Sequence, residues 1–471
     1  MEYLLPAGVE LGAHLDVRAG RARTGTVTFY DTFDGRLHAA GVSLRHAHGR
    51  LALLDRASGD ALGTAEAPRA ARLLVADLPP ALRARLEPAI EMRALMPVAR
   101  VRVRQRPIAV LNEDAKTVLR LTVERPDGLA PRVTATPVRG YEAELERLEE
   151  LLEAADVPLV DEAVLAAGGR PEGTSSKLAL TLDPDAPANQ AAADVFDRLL
   201  EVFADNLPGT LDDVDTEFLH DLRVAVRRTR SLQRQFKTIY PPRLQHFRDE
   251  FKRLQQATGD LRDLDVHLLD FDALRGSLPE PMRPDLEPLR ALLEQRRGRA
   301  FRAARRTLNS QRTHEALEQW AAFVHAAPTT PRSVRSLASR RIARVYRKMI
   351  RMGDEIGDDS PAEDLHELRK VGKELRYLLE FFSSLYAPEV VKPLVKTLKG
   401  LQDVLGRFQD REVQGHTLRA LADEVREPGT ILAMGALVAR FNDDEAAARA
   451  DFAGRFAAFA AAKPTVKEHF G

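Results

Sequence analysis

HDLRVAVRRTR at residues 220–230 and HELRKVGKELR at residues 366–376 decide how this chain is read. Laid over one another at an offset of 146, they match His220 with His366, Leu222 with Leu368, Arg223 with Arg369, Arg227 with Lys373 and Arg230 with Arg376. A second match follows at an offset of 147. There Leu254, Gln255, Gly259, Asp263, Asp265 and Val266 meet Leu401, Gln402, Gly406, Asp410, Glu412 and Val413. Two ordered matches at nearly one spacing mark an internal duplication, each unit long enough to be a small helical bundle.

Both stretches have helical period. At about 100° per residue, His220, Arg223, Arg227, Arg230 and Arg234 share one arc, and Phe218, Leu222, Val226, Thr229 and Phe236 share the opposite one. In the second copy His366, Arg369, Lys373 and Arg376 stand against Leu365, Leu368, Leu375, Leu378 and Phe382. A basic helical stretch is commonly a solvated face. Solvated faces mix signs to gain i,i+4 pairs, and like charges at that spacing repel by roughly a few tenths of a kcal/mol each. These stripes hold no acid over their first three turns, and the spacing occurs twice. An anionic ligand would offset that repulsion. Arg340, Arg344, Arg347 and Arg351 form a further stripe, as do Lys392, Lys396 and Lys399, with Lys252 the counterpart of Lys399. Arg296, Arg299, Arg302 and Arg306 read as a solvated helix face.

From about Ala188 to Lys463 nearly everything has helical period, punctuated at Pro208–Gly209, Pro241–Pro242, Pro279–Pro284, Pro328–Pro331 and Gly353–Pro361. Before this lies a Gly/Pro-rich stretch at Gly168–Asn189, the best linker in the sequence. The first 140 residues have strand character. Thr24–Asp31, Val98–Arg106, Val118–Glu124 and Arg132–Val138 read as strands, and Val42–Asp55 as a hairpin turning at His48–Gly49. Within VARVRVRQR, Arg100, Arg102 and Arg104 alternate with Val101 and Val103. Leu78–Leu95 and the acidic Tyr141–Ala155 read as helices. The fold class is α+β overall, an antiparallel β half followed by an all-α half.

The composition narrows the chemistry. With 471 residues, two or three domains are expected. Lys+Arg and Asp+Glu are both 70, so a polyanion site must be a local patch. There is no cysteine, which excludes disulfides, thiolate nucleophiles and Cys-ligated metal. No apolar run reaches the ~18 residues of a membrane span, and Glu2 and Glu10 flank no basic leader, so a cytoplasmic protein is expected. Asp260, Asp263 and Asp265 raise a metal site as one reading, but Arg407 stands where Asp260 would repeat, so a role in holding arginines is preferred. No GxxxxGK[ST] loop and no GxSxG elbow occurs.

HDLRVAVRRTR, GDLRDLDV, HELRKVGKELRYLLEFF and LQDVLGRFQDREV resemble the CHAD domain, over about residues 187–467. The resemblance implies two pseudo-symmetric four-helix bundles, about 187–325 and 332–467, whose basic helices line a central groove. It also implies binding of inorganic polyphosphate, in some members on polyphosphate granules. On the resemblance and the stripes together, contacts are expected from His220, Arg223, Arg227, Arg230, Arg234, Lys252, Arg262, Arg340, Arg344, Arg347, His366, Arg369, Lys373, Arg376, Lys392, Lys396, Lys399 and Arg407.

Residues 1–165 are similar to the CYTH fold, an antiparallel β tunnel for triphosphates, with 166–186 as linker. The similarity is carried by Phe29–Thr32, Ala40–Arg45, Pro97–Arg106 and Val118–Arg125. Arg45, Arg100, Arg102, Arg104 and Arg120 are its candidate anion-binding residues. The family's opening Glu-x-Glu-x-Lys survives only as Glu2, and Arg132–Thr136 lacks the acids of a late metal-binding strand. No catalytic residue, metal or cofactor is assigned. The leading expectation is a polyphosphate-binding protein. The alternative is a metal-dependent triphosphatase or polyphosphatase using the tunnel. A nucleic-acid binder ranks below both, because the stripes lack interleaved aromatics.

Overall fold

The computed structural model describes residues 2–6, 9–178, 180–237, 239–240, 243–326, 330–357 and 359–471. The expected breaks at Pro241–Pro242 and Pro328 lie outside those residues. The chain divides into two compact units, Met1–Ser176 and Lys177–Gly471.

Among the described residues ten strands build the first unit: β1 (Glu2–Leu4), β2 (Val17–Ala19), β3 (Arg23–Asp31), β4 (Val42–Ala47), β5 (Arg50–Asp55), β6 (Ala61–Glu66), β7 (Met96–Leu111), β8 (Thr117–Pro126), β9 (Arg132–Pro137) and β10 (Glu153–Ala154). They form one antiparallel sheet in the order β10-β1-β9-β8-β7-β3-β4-β5-β6, with β2 also on β7. Among the described residues β6 and β10 do not pair, so the sheet is an antiparallel half-barrel, in keeping with the barrel-like sheet expected for residues 1–165. The expected hairpin is present. His48 (φ 51°) and Gly49 (φ 77°) both take the left-handed region that a two-residue turn matching strand twist requires.

The helices α1 (Leu11–His14), α2 (Arg36–Ala39), α3 (Pro80–Ile90), α4 (Ala143–Glu149) and α5 (Leu159–Ala166) dress this sheet. α3 seals one end of the sheet through Leu82, Leu86 and Ile90, all buried against Leu44, Leu51 and Leu53. The acidic helix is shorter than its periodicity predicts. It ends at Glu149, because the chain turns there to lay Glu153–Ala154 beside Tyr3–Leu4. Strand pairing overrides local helical preference.

The second unit is helical. Its first copy comprises α6 (Ala188–Leu211), α7 (Thr216–Gln235), α8 (Leu244–Ala257), α9 (Gly259–Leu269), α10 (Phe271–Gly276), α11 (Glu287–Leu308) and α12 (Gln311–His325). Its second comprises α13 (Val334–Asp354), α14 (Ala362–Phe381), α15 (Pro388–Ala422), α16 (Pro428–Ala460) and α17 (Lys463–Phe470). The starts of α6 and α13, and of α7 and α14, keep the offset of 146. Within α6 and α13 the buried positions repeat at that offset: Ala188 with Val334, Ala192 with Ala338, Phe196 with Ile342, Leu199 with Val345 and Phe203 with Met349. One continuous apolar core runs through both copies, from Leu182 to Phe470.

The expected break at Pro208–Gly209 is displaced. α6 runs through Pro208, since its last turn packs Gly209 directly on Phe218, and a Cβ there would lie 2.3 Å from Phe218 Cδ1. The turn falls at residues 212–215, where Asp215 Oδ1 caps α7 by accepting from Glu217 N (2.9 Å) and Phe218 N (3.3 Å).

Candidate polyanion-binding site

α7 and α14 each bury one face and carry their cations on another. Phe218, Leu222, Val226 and Leu232 are buried on α7, as are Leu365, Leu368, Leu375 and Leu378 on α14. The two helices pack against one another. Arg228 Nη2 donates to Glu380 Oε2 at 2.7 Å, Gln235 Nε2 donates to Glu374, and Arg227 Nε donates to Tyr377 Oη. These contacts run antiparallel, as a twofold between the copies requires.

The basic faces converge at this seam. Arg227 and Lys373 are counterparts in the duplication, and each lies within the field of the other copy's cations. Burial, then Arg369 and Arg227, push the Lys373 ammonium down to about 8. Arg223 is held below its ordinary value by burial and by Arg227 and Arg262, while Asp263 opposes the shift. Arg230 is lowered by burial and by Arg234 and Arg248. Burial and the crowding of like charge thus both disfavour the charged forms of these side chains.

The second sequence match holds these arginines. Arg223 Nη1 donates to Gln255 O (2.9 Å) and Thr258 Oγ1 (2.8 Å), beside Gly259. Its counterpart Arg369 donates to Asp410 Oδ1 (3.2 Å) and Gln409, beside Gly406. A Cβ on Gly406 would stand 3.5 Å from Arg369 Nη2 and one on Gly259 4.0 Å from Arg223 Nη1, so the paired glycines border the guanidinium at equivalent places in the two copies. Asp265 has a different task. With Asp213 it grips Arg297, at 2.7 and 2.6 Å.

One end of the seam opens into a cleft of about 660 Å³. Arg234 and Lys237 enter it from the end of α7, Arg248 from α8, and Arg341, Arg344, Arg347, Lys348 and Arg351 from α13, with Glu374 as its carboxylate. Among the described residues none of these eight cations forms an ion pair within 4.0 Å. Periodicity singles out Arg234, Arg344, Arg347 and Arg351. It misses Lys237, Arg248, Arg341 and Lys348, although Arg248 stands four residues before Lys252 on one helix.

The remaining candidates are dispersed. His220 and His366 are half-buried at the fifth residue of α7 and α14. Arg262 is pinned to Thr216 O (3.3 Å) and Glu217 (3.6 Å), Arg376 to Glu380 (2.7 Å) and Arg407 to Asp451 (2.8 Å). Arg340 is exposed beside the cleft, and Lys252, Lys392, Lys396 and Lys399 are exposed on α8 and α15. Arg296 pairs with Glu424.

The arginines expected inside the β tunnel are elsewhere. Arg100, Arg102 and Arg104 are exposed, while Ala99, Val101 and Val103 face the core with Leu159, Ala163 and Val164 of α5. Alternation had fixed two faces but not which was inward, and the apolar α5 decides it. Arg120 is also exposed. Arg45 does line a pocket of about 390 Å³ with Ser43, Gln105 and Thr122. There it donates to the buried Glu124 at 2.9 Å. Arg56 pairs with Asp161 and Arg132 with Glu162 (2.8 Å), both acids from α5. Two of the pocket's three arginines, Arg45 and Arg56, thus carry close carboxylate partners, while Arg50 has only the exposed Glu66 at 3.9 Å. No group of three or more His, Asp or Glu that could hold a metal ion occurs among the described residues.

No helix among the described residues is long and apolar enough to cross a membrane. Residues 194–419 match the family model of the CHAD domain. Two uncharacterized proteins of Mycobacterium tuberculosis, Rv2226 and MT2285, are each 28% identical over 290 residues, covering 55% of this chain and 53% of theirs. The chain thus spans about half the length of these curated relatives. The crystal structure of the CHAD domain from the plant Ricinus communis superposes with a TM-score of 0.53 at 26% identity, covering 60% of this chain and 95% of that one. The N-terminal half-barrel is consistent with a CYTH-like fold. With a matched family, a structural neighbour over nearly its whole length and the duplicated basic helices in place, residues 194–419 of this chain are a CHAD domain.

Proposed function

We propose that this protein binds inorganic polyphosphate through the α7–α14 seam and the adjoining cleft. The observation that carries the proposal is the convergence of Arg223, Arg227, Arg369 and Lys373, from both copies, on one half-buried path. Their donors would bind successive phosphates by charge-assisted hydrogen bonds. A flexible linear polyanion fits because the cations follow a line and are interleaved with no exposed aromatic. Tyr377, the ring nearest the seam, is buried and engaged by Arg227. The role is retention rather than chemistry, and where polyphosphate collects in granules the protein would collect with it. Titration of the full chain with long-chain polyphosphate, against single-stranded RNA of matched charge, tests this. Saturable binding with polyphosphate clearly preferred supports it. No binding, or RNA preferred, overturns it.

A further inference from the structure

Duplication supplies an internal control: each element beside the seam has a counterpart across the pseudo-twofold. α13 borders the cationic cleft, and α6 is its equivalent. Their buried faces coincide position by position, so their outer faces can be compared in the same register. On α13 the outer stripe reads Arg340, Arg344, Arg347 and Arg351. On α6 the same positions read Asp194, Arg198, Glu201 and Asp205. Four cations on one side are opposed by three acids and one arginine on the other. That arginine is occupied, since Arg198 Nη1 lies 2.9 Å from Glu201.

The ends of the seam helices differ in the same sense. Arg234 closes the stripe of α7 and opens into the cleft. Its counterpart on α14 is Glu380, which takes Arg228 and Arg376, each at 2.7 Å. The cationic track therefore continues from Arg227 through Arg230 and Arg234 onto α13. In the other direction it ends at a carboxylate. From Arg340 to Arg351 the α13 stripe adds about 16 Å along the helix axis.

We propose that the domain takes its phosphate chain on one side of the pseudo-twofold only. The chain leaves the α7–α14 seam through the α13 cleft, which acts as a second subsite, while the α6 side repels it. This rests on the polyphosphate reading above. The seam alone accommodates a short chain. Only a longer chain reaches the cleft, so the cleft sets how strongly affinity grows with length.

Arg198 and Arg344 make the test, since a symmetric site loses equally when either is replaced. Binding of tripolyphosphate and of long-chain polyphosphate to the full chain would be measured for Arg344→Glu alone and with Arg347→Glu, for Arg198→Glu, and for Arg227→Glu with Lys373→Glu. Arg344→Gln with Arg347→Gln serves as a second cleft variant should charge reversal disturb the fold. With each lost charged contact worth about tenfold, the cleft variants lose about tenfold or more for the long chain and less than twofold for tripolyphosphate. Arg198→Glu changes neither by more than about twofold, and the seam variant weakens both. Equal losses from Arg198→Glu and Arg344→Glu overturn the one-sided path. So do cleft variants that bind long chains normally while the seam variant does not, an outcome that leaves the polyphosphate reading standing. Failure of the unmodified protein to bind either probe overturns both.

Discussion

Arg227 and Lys373 occupy the same position in the two copies, and the antiparallel packing of α7 on α14 turns that equivalence into proximity. Arg227 reaches Tyr377, one helical turn beyond Lys373, and its charge helps to hold the ammonium down at about 8. Two cations that a monomeric bundle would keep apart are made neighbours by symmetry.

This lowered value gives a proton signature. Above pH 8 the Lys373 amine is mostly neutral in the free protein. A phosphate chain at the seam favours the charged form, so binding at pH 8.5–9 should take up a proton there. Calorimetry in two buffers of different ionisation heat reads that uptake. Lys373→Arg, charged throughout, should abolish it. Uptake that persists in Lys373→Arg places the titrating group elsewhere. Stability follows the same logic. The unfolded chain keeps its lysine protonated to higher pH than the folded one, so this site makes folding more favourable as pH rises from about 8 towards 10.5.

Removing charge at the seam should separate binding from stability. Arg227 and Lys373 lie off the apolar faces of their helices, so Arg227→Gln with Lys373→Met opens no core cavity and relieves like-charge repulsion. The midpoint of thermal unfolding at pH 7 should stay level or rise, while polyphosphate affinity falls by about tenfold or more. A large drop in midpoint would mean that the cations hold the helices together rather than wait for a ligand.

Much of this was legible in the sequence, and the limits are physical. The stripes of α7 and α14 could be read because a 3.6-residue period survives on every exposed helix, and duplication supplied a second reading of each. The cleft was only partly legible. Arg248 and Lys237 have no basic counterpart in the second copy, where Val395 and Ser383 stand, and they join α13 only through tertiary packing. Alternation on β7 gave two faces without saying which was inward. α5, which settled it, is a short segment between a turn and the linker with little periodicity to display. Pro208 misled because proline is a poor interior residue in general, yet here it sits in the last turn of α6, carried by the contact of Gly209 with Phe218.

That contact is testable. Gly209→Ala would gain up to about 1 kcal/mol in helix propensity. Its methyl, however, would lie 2.3–2.5 Å from the buried Phe218 ring. Overpacking of this kind costs about 1–3 kcal/mol, so net destabilisation is expected, seen as a lower denaturant midpoint at unchanged m-value. Phe218→Leu, made on the Gly209→Ala background, should recover part of the loss. A stabilised Gly209→Ala protein would show that α6 and α7 approach less closely than described.

Salt dependence distinguishes a ligand groove from a merely solvated face. Each phosphate neutralised by a side chain releases condensed counterions, and for a flexible single strand the log–log slope is about −0.7 per contact. The half-buried cations of the seam with those of the cleft allow six to ten contacts, so a slope of about −4 to −7 is expected for long-chain polyphosphate. Tripolyphosphate, confined to the seam, should give a much shallower slope. Charge reversal at Arg344 and Arg347 should flatten the long-chain slope towards the tripolyphosphate value, because it removes the contacts that only the longer chain makes. Affinity measured across a salt series for the two probes reads all three slopes. A long-chain slope near zero would mean that the stripes on α7, α13 and α14 make no phosphate contacts.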